Sequence, residues 1–172
     1  LVLKTDKGEI CYVDKRKFGT FKIFYDKPDR LIQKLDSLGP DLLNEEVSED
    51  IFVSRMRGEH TRKGYNHKEV TQVMMDQKAL AGIGNYIKAE ALYMAEINPY
   101  AKVGDLSDDE LKELGKACIW VIKASYEAKG ATIKNYKLPN GDIGEYKFKF
   151  KVYSKRKDPL GNKVIREETA DK

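Results

Sequence analysis

The sequence predicts an α+β fold: strands near the amino terminus, a run of helices through the middle and a β-hairpin at the carboxyl end. Three observations carry that expectation. Apolar and polar side chains alternate with a two-residue period at both ends of the chain. A helical period fills the middle, and Gly, Pro and Asn-Gly pairs punctuate the boundaries.

Glu9-Ile10-Cys11-Tyr12-Val13 and residues 18–25 read as two strands around a basic loop, with Phe18, Thr20 and Lys22 alternating against Phe21, Ile23 and Tyr25. They are expected to be the last strands of a sheet domain covering residues 1–25. A short helix over residues 31–35 is broken by Gly39-Pro40, which makes residues 26–47 a linker between domains. Ser48 is placed to cap a helix carrying Ile51, Phe52 and Met56. A second helix is predicted over residues 67–80 and a third over 86–96, where Asn98-Pro99 ends it.

Ser107-Asp108-Asp109-Glu110 forms a capping box before the clearest helix, whose Leu111, Leu114, Cys118, Val121, Ile122 and Ser125 share one face. Gly130 terminates it. After the Asn140-Gly141 turn, Tyr146, Phe148, Phe150 and Val152 alternate with Lys147, Lys149, Lys151 and Tyr153, the pattern of a half-buried strand with a basic outer face. Residues 158–162 turn the chain into a second strand over 163–167, so residues 48–144 are expected to form a helical domain and residues 145–172 a hairpin.

Composition fits a globular object. The chain has 172 residues, 41% of them hydrophobic and ten of them Tyr, enough to bury one good core or two small ones. Its net charge of +4 is compatible with nucleic acid without requiring it. Distribution says more than the sum. Arg55, Arg57, His60, Arg62, Lys63, His67 and Lys68 gather between two helices, and Lys147, Lys149, Lys151, Lys155, Arg156 and Lys157 gather near the carboxyl end. Each cluster is either a solvated face or a set of contacts to a phosphate backbone.

Cys11 and Cys118 are far apart and neither belongs to a C-x-x-C pair, so they do not build a zinc site, and neither a metal nor another cofactor is expected. Cys118 lies on an apolar helical face, where a buried free thiol fits an intracellular, reducing compartment. No apolar run is long enough to span a bilayer and no stretch reads as a signal peptide. A soluble monomer is expected.

The most informative stretch is Gly82-Ile83-Gly84-Asn85-Tyr86-Ile87-Lys88-Ala89-Glu90. A glycine-flexed turn that opens a helix presents unpaired backbone N–H groups to an anion. Gly82 and Gly84 are expected to take positive φ, Asn85 to sit at the N-cap with its amide free for a phosphate oxygen, and Lys88 to add charge one turn later. Gln77 and Glu90 read as structural hydrogen-bonding partners of the turn.

With Met74-Met75-Asp76-Gln77 before it and Ala91-Leu92-Tyr93 after it, the stretch resembles the helix-two-turn-helix of formamidopyrimidine-DNA glycosylases and their endonuclease VIII-like relatives. Asp14-Lys15-Arg16-Lys17-Phe18-Gly19 resembles that family's Asp-x-Arg-Arg/Lys-Phe-Gly loop, and Leu38-Gly39-Pro40-Asp41-Leu42 its Leu-Gly-Pro-Glu/Asp linker. Gly130-Ala131-Thr132, Tyr136, Asn140-Gly141-Asp142 and Gly144-Glu145-Tyr146 are similar to its lesion-contacting loop region. The hairpin without cysteines resembles the zincless finger of some endonuclease VIII-like enzymes.

The resemblance implies the end of a β-sandwich domain, then a helix-two-turn-helix DNA-binding domain with its lesion loop, then a zincless finger. It implies base-excision repair, in which an amine attacks C1′ of a damaged nucleoside, expels the base, and cuts the strand by β- or β,δ-elimination from the Schiff base. Gly84, Asn85 and Lys88 would bind DNA phosphates; Arg16 would face the orphaned base and Phe18 fill the void; Thr132 and Tyr136 would contact the everted base. The partner implied is double-stranded DNA containing damaged bases or abasic sites. The family's amino-terminal proline nucleophile, the glutamate after it, its loop lysine and its finger arginine have no match between Leu1 and Lys172, so no catalytic residue is assigned and both catalytic ends are expected to lie outside these residues. The alternative is a non-catalytic helix-two-turn-helix module that binds nucleic acid.

Overall fold

The computed structural model describes residues 1–14, 19–24, 28–130 and 149–167. They form two compact units, Leu1–Gln33 and Lys34–Lys172. In the first, β1 (Val2–Thr5) and β2 (Gly8–Cys11) pair antiparallel through the register Val2↔Cys11, Leu3↔Ile10, Lys4↔Glu9 and Thr5↔Gly8. The two-residue turn Asp6-Lys7 is tied by the Thr5 hydroxyl, which donates to Gly8 O at 2.9 Å and accepts from the Lys7 N–H at 3.2 Å. The expected strand over residues 9–13 is thus the end of a hairpin whose first strand carries no readable alternation, because both its faces are largely exposed. The expected strand over residues 18–25 is not formed at 19–24: among the described residues the ladder consists of β1 and β2 alone, and alternation without a hydrogen-bonding neighbour does not make a strand. Tyr12 and Phe21 instead pack ring to ring at 5.3 Å.

α1 (Pro28–Asp36) begins on proline, whose fixed φ suits a first helical turn. In the second unit, α2 (Glu49–Arg57) is capped by Ser48, whose hydroxyl accepts the Ile51 N–H at 3.3 Å, and ends at Gly58 with φ +74°. The close approach of Tyr65 at Gly58 leaves no room for a Cβ: Tyr65 N would lie 2.8 Å away. α3 (Val70–Met75) is far shorter than the predicted span of 67–80. Asp76 ends it, because its carbonyl accepts the Ala79 N–H at 2.9 Å and its carboxylate the Lys78 N–H at 3.0 Å, local bonds that compete with a helical ladder.

α4 (Asn85–Met94) and α5 (Asp108–Glu127) complete the helical body. The α5 capping box forms as expected, with Ser107 accepting the Glu110 N–H at 3.2 Å and the Glu110 carboxylate accepting the Ser107 N–H at 2.7 Å. All six residues predicted to share its inner face are buried. Lys129 and Gly130 then take left-handed φ, and the Gly130 N–H closes the helix on Ser125 O at 2.7 Å. The core draws on all four of these helices, with Phe52, Met56, Val70, Met74, Leu80, Ile83, Ala91, Leu111, Leu114 and Val121 at 1% exposure or less. Such burial, at about 25 cal/mol per Å² of apolar surface, is the main term holding the helices together.

At the carboxyl end the predicted strand over 146–153 is not present at residues 149–153, which bend over α4 instead. The expected turn is there. The Asp158 N–H donates to Asn162 O at 3.0 Å, its carboxylate accepts the Leu160 and Asn162 N–H groups, and Lys157 and Lys163 form one antiparallel bridge.

Candidate nucleic-acid interface

The connection from α3 to α4 is held from several sides. Gln77 spans it: its amide NH2 donates to Ile83 O at 2.9 Å and its carbonyl accepts the Gly82 N–H at 3.0 Å. From outside, Gly39 N–H donates to Gln77 O at 2.8 Å and Ala81 N–H to Pro40 O at 2.9 Å, and Asp41 bridges Ala81. A Cβ on Gly39 would run into the Ala79 carbonyl and come within 2.8 Å of Leu80 N, so glycine is required for this approach. The Gly39-Pro40-Asp41 stretch is therefore a brace on the turn as well as a connection. Asp41 is itself fixed by Asn44 and the Leu43 N–H, which hold its carboxyl below the usual carboxylate range.

Gly82 has φ +96° as expected, with open space around it. Gly84 does not: it is extended (φ −117°, ψ −177°) and is itself the N-cap, which makes Asn85 the first residue of α4. The reason is local. A residue whose carbonyl opens the helical ladder, here Gly84 O accepting the Lys88 N–H at 2.9 Å, must have extended backbone. Gly84 has no side chain with which to cap this helix, so the first turn of α4 presents its positive end at the turn, and the exposed Asn85 side chain stands beside it. Lys88 is half-buried one turn on, and desolvation lowers its pKa from the usual lysine value. The turn thus brings Gly84, Asn85 and Lys88 together. Arg16 and Phe18, and likewise Thr132 and Tyr136, lie outside the described residues. On either side of residues 15–18, the Asp14 carboxylate accepts the Gly19 N–H at 2.6 Å.

Glu90 is not a partner of the turn. Only 2% exposed, it accepts the backbone N–H groups of Lys151 (2.8 Å), Val152 (2.9 Å) and Tyr153 (2.7 Å). Each bond to a charged acceptor contributes about 1.5–3 kcal/mol, which offsets the desolvation of the carboxylate. Sequence spacing held no sign of a contact across sixty residues.

The basic cluster between helices divides. Arg57 turns inward, donating to Val103 O and Leu106 O at 2.6 Å each and to Asp108 at 2.8 Å. Its planar fork staples α2 to the approach of α5. Lys68 lies 4.2 Å over the Tyr65 ring, and His60 meets the same ring edge-on at 5.6 Å. Arg62, Lys63 and His67 are exposed. Among the described residues, no helix is long and apolar enough to cross a membrane.

Residues 38–137 match the formamidopyrimidine-DNA glycosylase H2TH domain, and residues 139–172 match the formamidopyrimidine-DNA glycosylase C-terminal domain. The chain is 31% identical to the formamidopyrimidine-DNA glycosylase of Bacillus licheniformis over 155 residues, 90% of this chain and 54% of that protein. It is 30% identical to that of Bacillus subtilis over 158 residues, 92% and 55% of the two chains. It therefore spans about half the length of the curated relatives it matches. Among solved structures it is similar to the Thermus thermophilus MutM (Fpg) protein, with TM-score 0.79 at 26% identity over 98% of this chain and 63% of that one. A Lactococcus lactis Fpg mutant in complex with Fapy-dG containing DNA matches with TM-score 0.77, also at 26% identity, over 98% and 60%.

Proposed function

The chain belongs to the formamidopyrimidine-DNA glycosylase family, and from that premise we propose that it is the DNA-gripping portion of a base-excision repair glycosylase and AP lyase that removes oxidised bases. The observation that carries the reading is the braced turn into α4, which presents a helix amino terminus and the exposed Asn85 amide on a fixed backbone. Such a site holds phosphates without reading sequence, which suits an enzyme that must kink any duplex at a lesion. Gly84, Asn85 and Lys88 take the phosphates; Arg16 faces the orphaned base and Phe18 fills the space left by eversion; Thr132 and Tyr136 touch the everted base. Residues 1–25 complete a β-sandwich, residues 26–47 link it to the helix-two-turn-helix domain over 48–144, and residues 145–172 act as a finger whose packing replaces a metal.

The chemistry requires an amine at C1′, and none of the residues assigned to DNA contact supplies one poised for that attack. The 172-residue polypeptide is expected to bind an abasic duplex and to give no covalent adduct on borohydride trapping. An efficient adduct would show that a lysine or the Leu1 α-amine within it serves as nucleophile. Phe18→Ala separates glycosylase from plain binding module: it should weaken binding to abasic duplex and barely change binding to undamaged duplex. Equal weakening of both would favour the non-catalytic module.

A further inference from the structure

Tyr86, Glu90 and Tyr93 fall at i, i+4 and i+7 on α4, and all three meet the segment 150–158. The Tyr86 ring lies 5.6 Å from Phe150 and 6.3 Å from Tyr153, which are themselves 5.3 Å apart. The Tyr93 hydroxyl donates to Asp158 at 3.3 Å, and Glu90 gathers the three N–H groups between. Three consecutive N–H groups converge on one carboxylate only if the backbone curves around it. The curve is completed by Ser154 at φ +60° and by the Lys155 N–H donating to Val152 O at 3.0 Å. Lys149, Lys155, Arg156 and Lys157 are exposed along the segment so held, and Lys151 is half-exposed. Tyr86 is the neighbour of Asn85, so this cationic segment is packed against the first turn of α4, at its amino terminus.

We propose that Glu90 is a positioning residue for DNA binding, fixing the cationic segment 149–157 beside the amino terminus of α4 so that both engage one phosphate backbone. The inference rests on the phosphate-binding reading of the turn and extends it to a buried residue that touches no DNA. Prearranged cations lose less freedom on binding than a free tail would. A glutamine cannot replace the carboxylate, because its NH2 faces N–H donors.

The test is fluorescence anisotropy of the 172-residue chain on a short labelled abasic-site duplex, across a salt series from about 50 to 200 mM. Each phosphate contact contributes about 0.9 to the slope of log affinity against log salt, so Glu90→Gln should flatten the slope by about two and lower low-salt affinity about tenfold or more. The triple variant Lys155→Ala, Arg156→Ala, Lys157→Ala should do the same, and adding Glu90→Gln to it should change little further. An unchanged slope in either variant, or full additivity, overturns the inference. Should Glu90→Gln fail to fold by circular dichroism, Glu90→Asp, which keeps the charge but retracts it, takes its place in the same cycle. If the unsubstituted chain binds no duplex, the phosphate-binding reading falls and this one with it; if it binds and the cycle is additive, only this one falls.

Discussion

Replacing Arg57 with methionine removes a guanidinium while keeping most of the apolar stem, and the loss can be worked out from three bonds. Two are short bonds to Val103 O and Leu106 O, 2.6 Å each, on the strand of chain that leads into α5. Hydrogen bonds with a charged partner are worth about 1.5–3 kcal/mol each, giving about 3–6 kcal/mol for the pair. The third, to Asp108, joins a carboxylate whose side chain is 64% exposed and adds about 0–1 kcal/mol. Arg57 itself retains 18% side-chain exposure, so water will reach part of the site and re-pair the carbonyls. A net loss of about 2–4 kcal/mol results, which for a chain of this size lowers Tm by about 4–16 °C. Urea unfolding measures it as a lower midpoint at constant m. DNA affinity of the folded variant should stay within about twofold, since the guanidinium is turned inward and three of its five N–H donors are already bonded to Val103 O, Leu106 O and Asp108. Unchanged stability with lost DNA affinity would refute the reasoning and return Arg57 to the phosphate-contacting cluster.

Three further outcomes are expected. Burial pushes the Cys118 thiol far up, whereas Cys11 is exposed, so a thiol reagent at mildly alkaline pH should label Cys11 quickly and Cys118 only on unfolding. Rapid labelling of both would mean that the α5 face is open. Desolvation, and then the charge of Arg55, lowers the His60 pKa below its usual value of about 6.5, so the folded state resists its protonation. Its stabilising contribution is therefore complete above the unfolded value and lost as pH falls through the folded one; an NMR titration midpoint for His60 at or above 6.5 would contradict the packing around it. Chelators should alter neither folding nor DNA binding, and stoichiometric zinc by elemental analysis would refute the zincless finger.

The sequence made α5 legible in full, because its cap and its inner face are written within twenty residues and depend on nothing distant. The α2 cap at Ser48 was legible for the same reason. What pattern reading missed is non-local or a competition. Helix α3 is cut short by a single aspartate whose side chain offers its neighbours another partner, a contest that periodicity does not score. The strand pattern over residues 18–25 is real alternation, but at 19–24 it finds no pairing neighbour among the described residues. Glu90 was placed on the right helix but given the wrong partner, because its true donors lie sixty residues on, where the same alternation suggested a strand. The turn fared best as a location: its glycines, Asn85 and Gln77 all stand in one structure, although Gly84 rather than Asn85 is the cap.

The central claim is that the amino terminus of α4 grips phosphate irrespective of the base beside it. Asn85→Ala tests it most directly, since Asn85 is exposed and makes no cap, so the fold should tolerate its loss. Equilibrium binding of this variant to abasic and undamaged duplex, measured side by side at one salt concentration, should show both affinities weakened by about 1–3 kcal/mol and by the same factor. Affinity unchanged on both duplexes, or a loss confined to the abasic one, would contradict the claim.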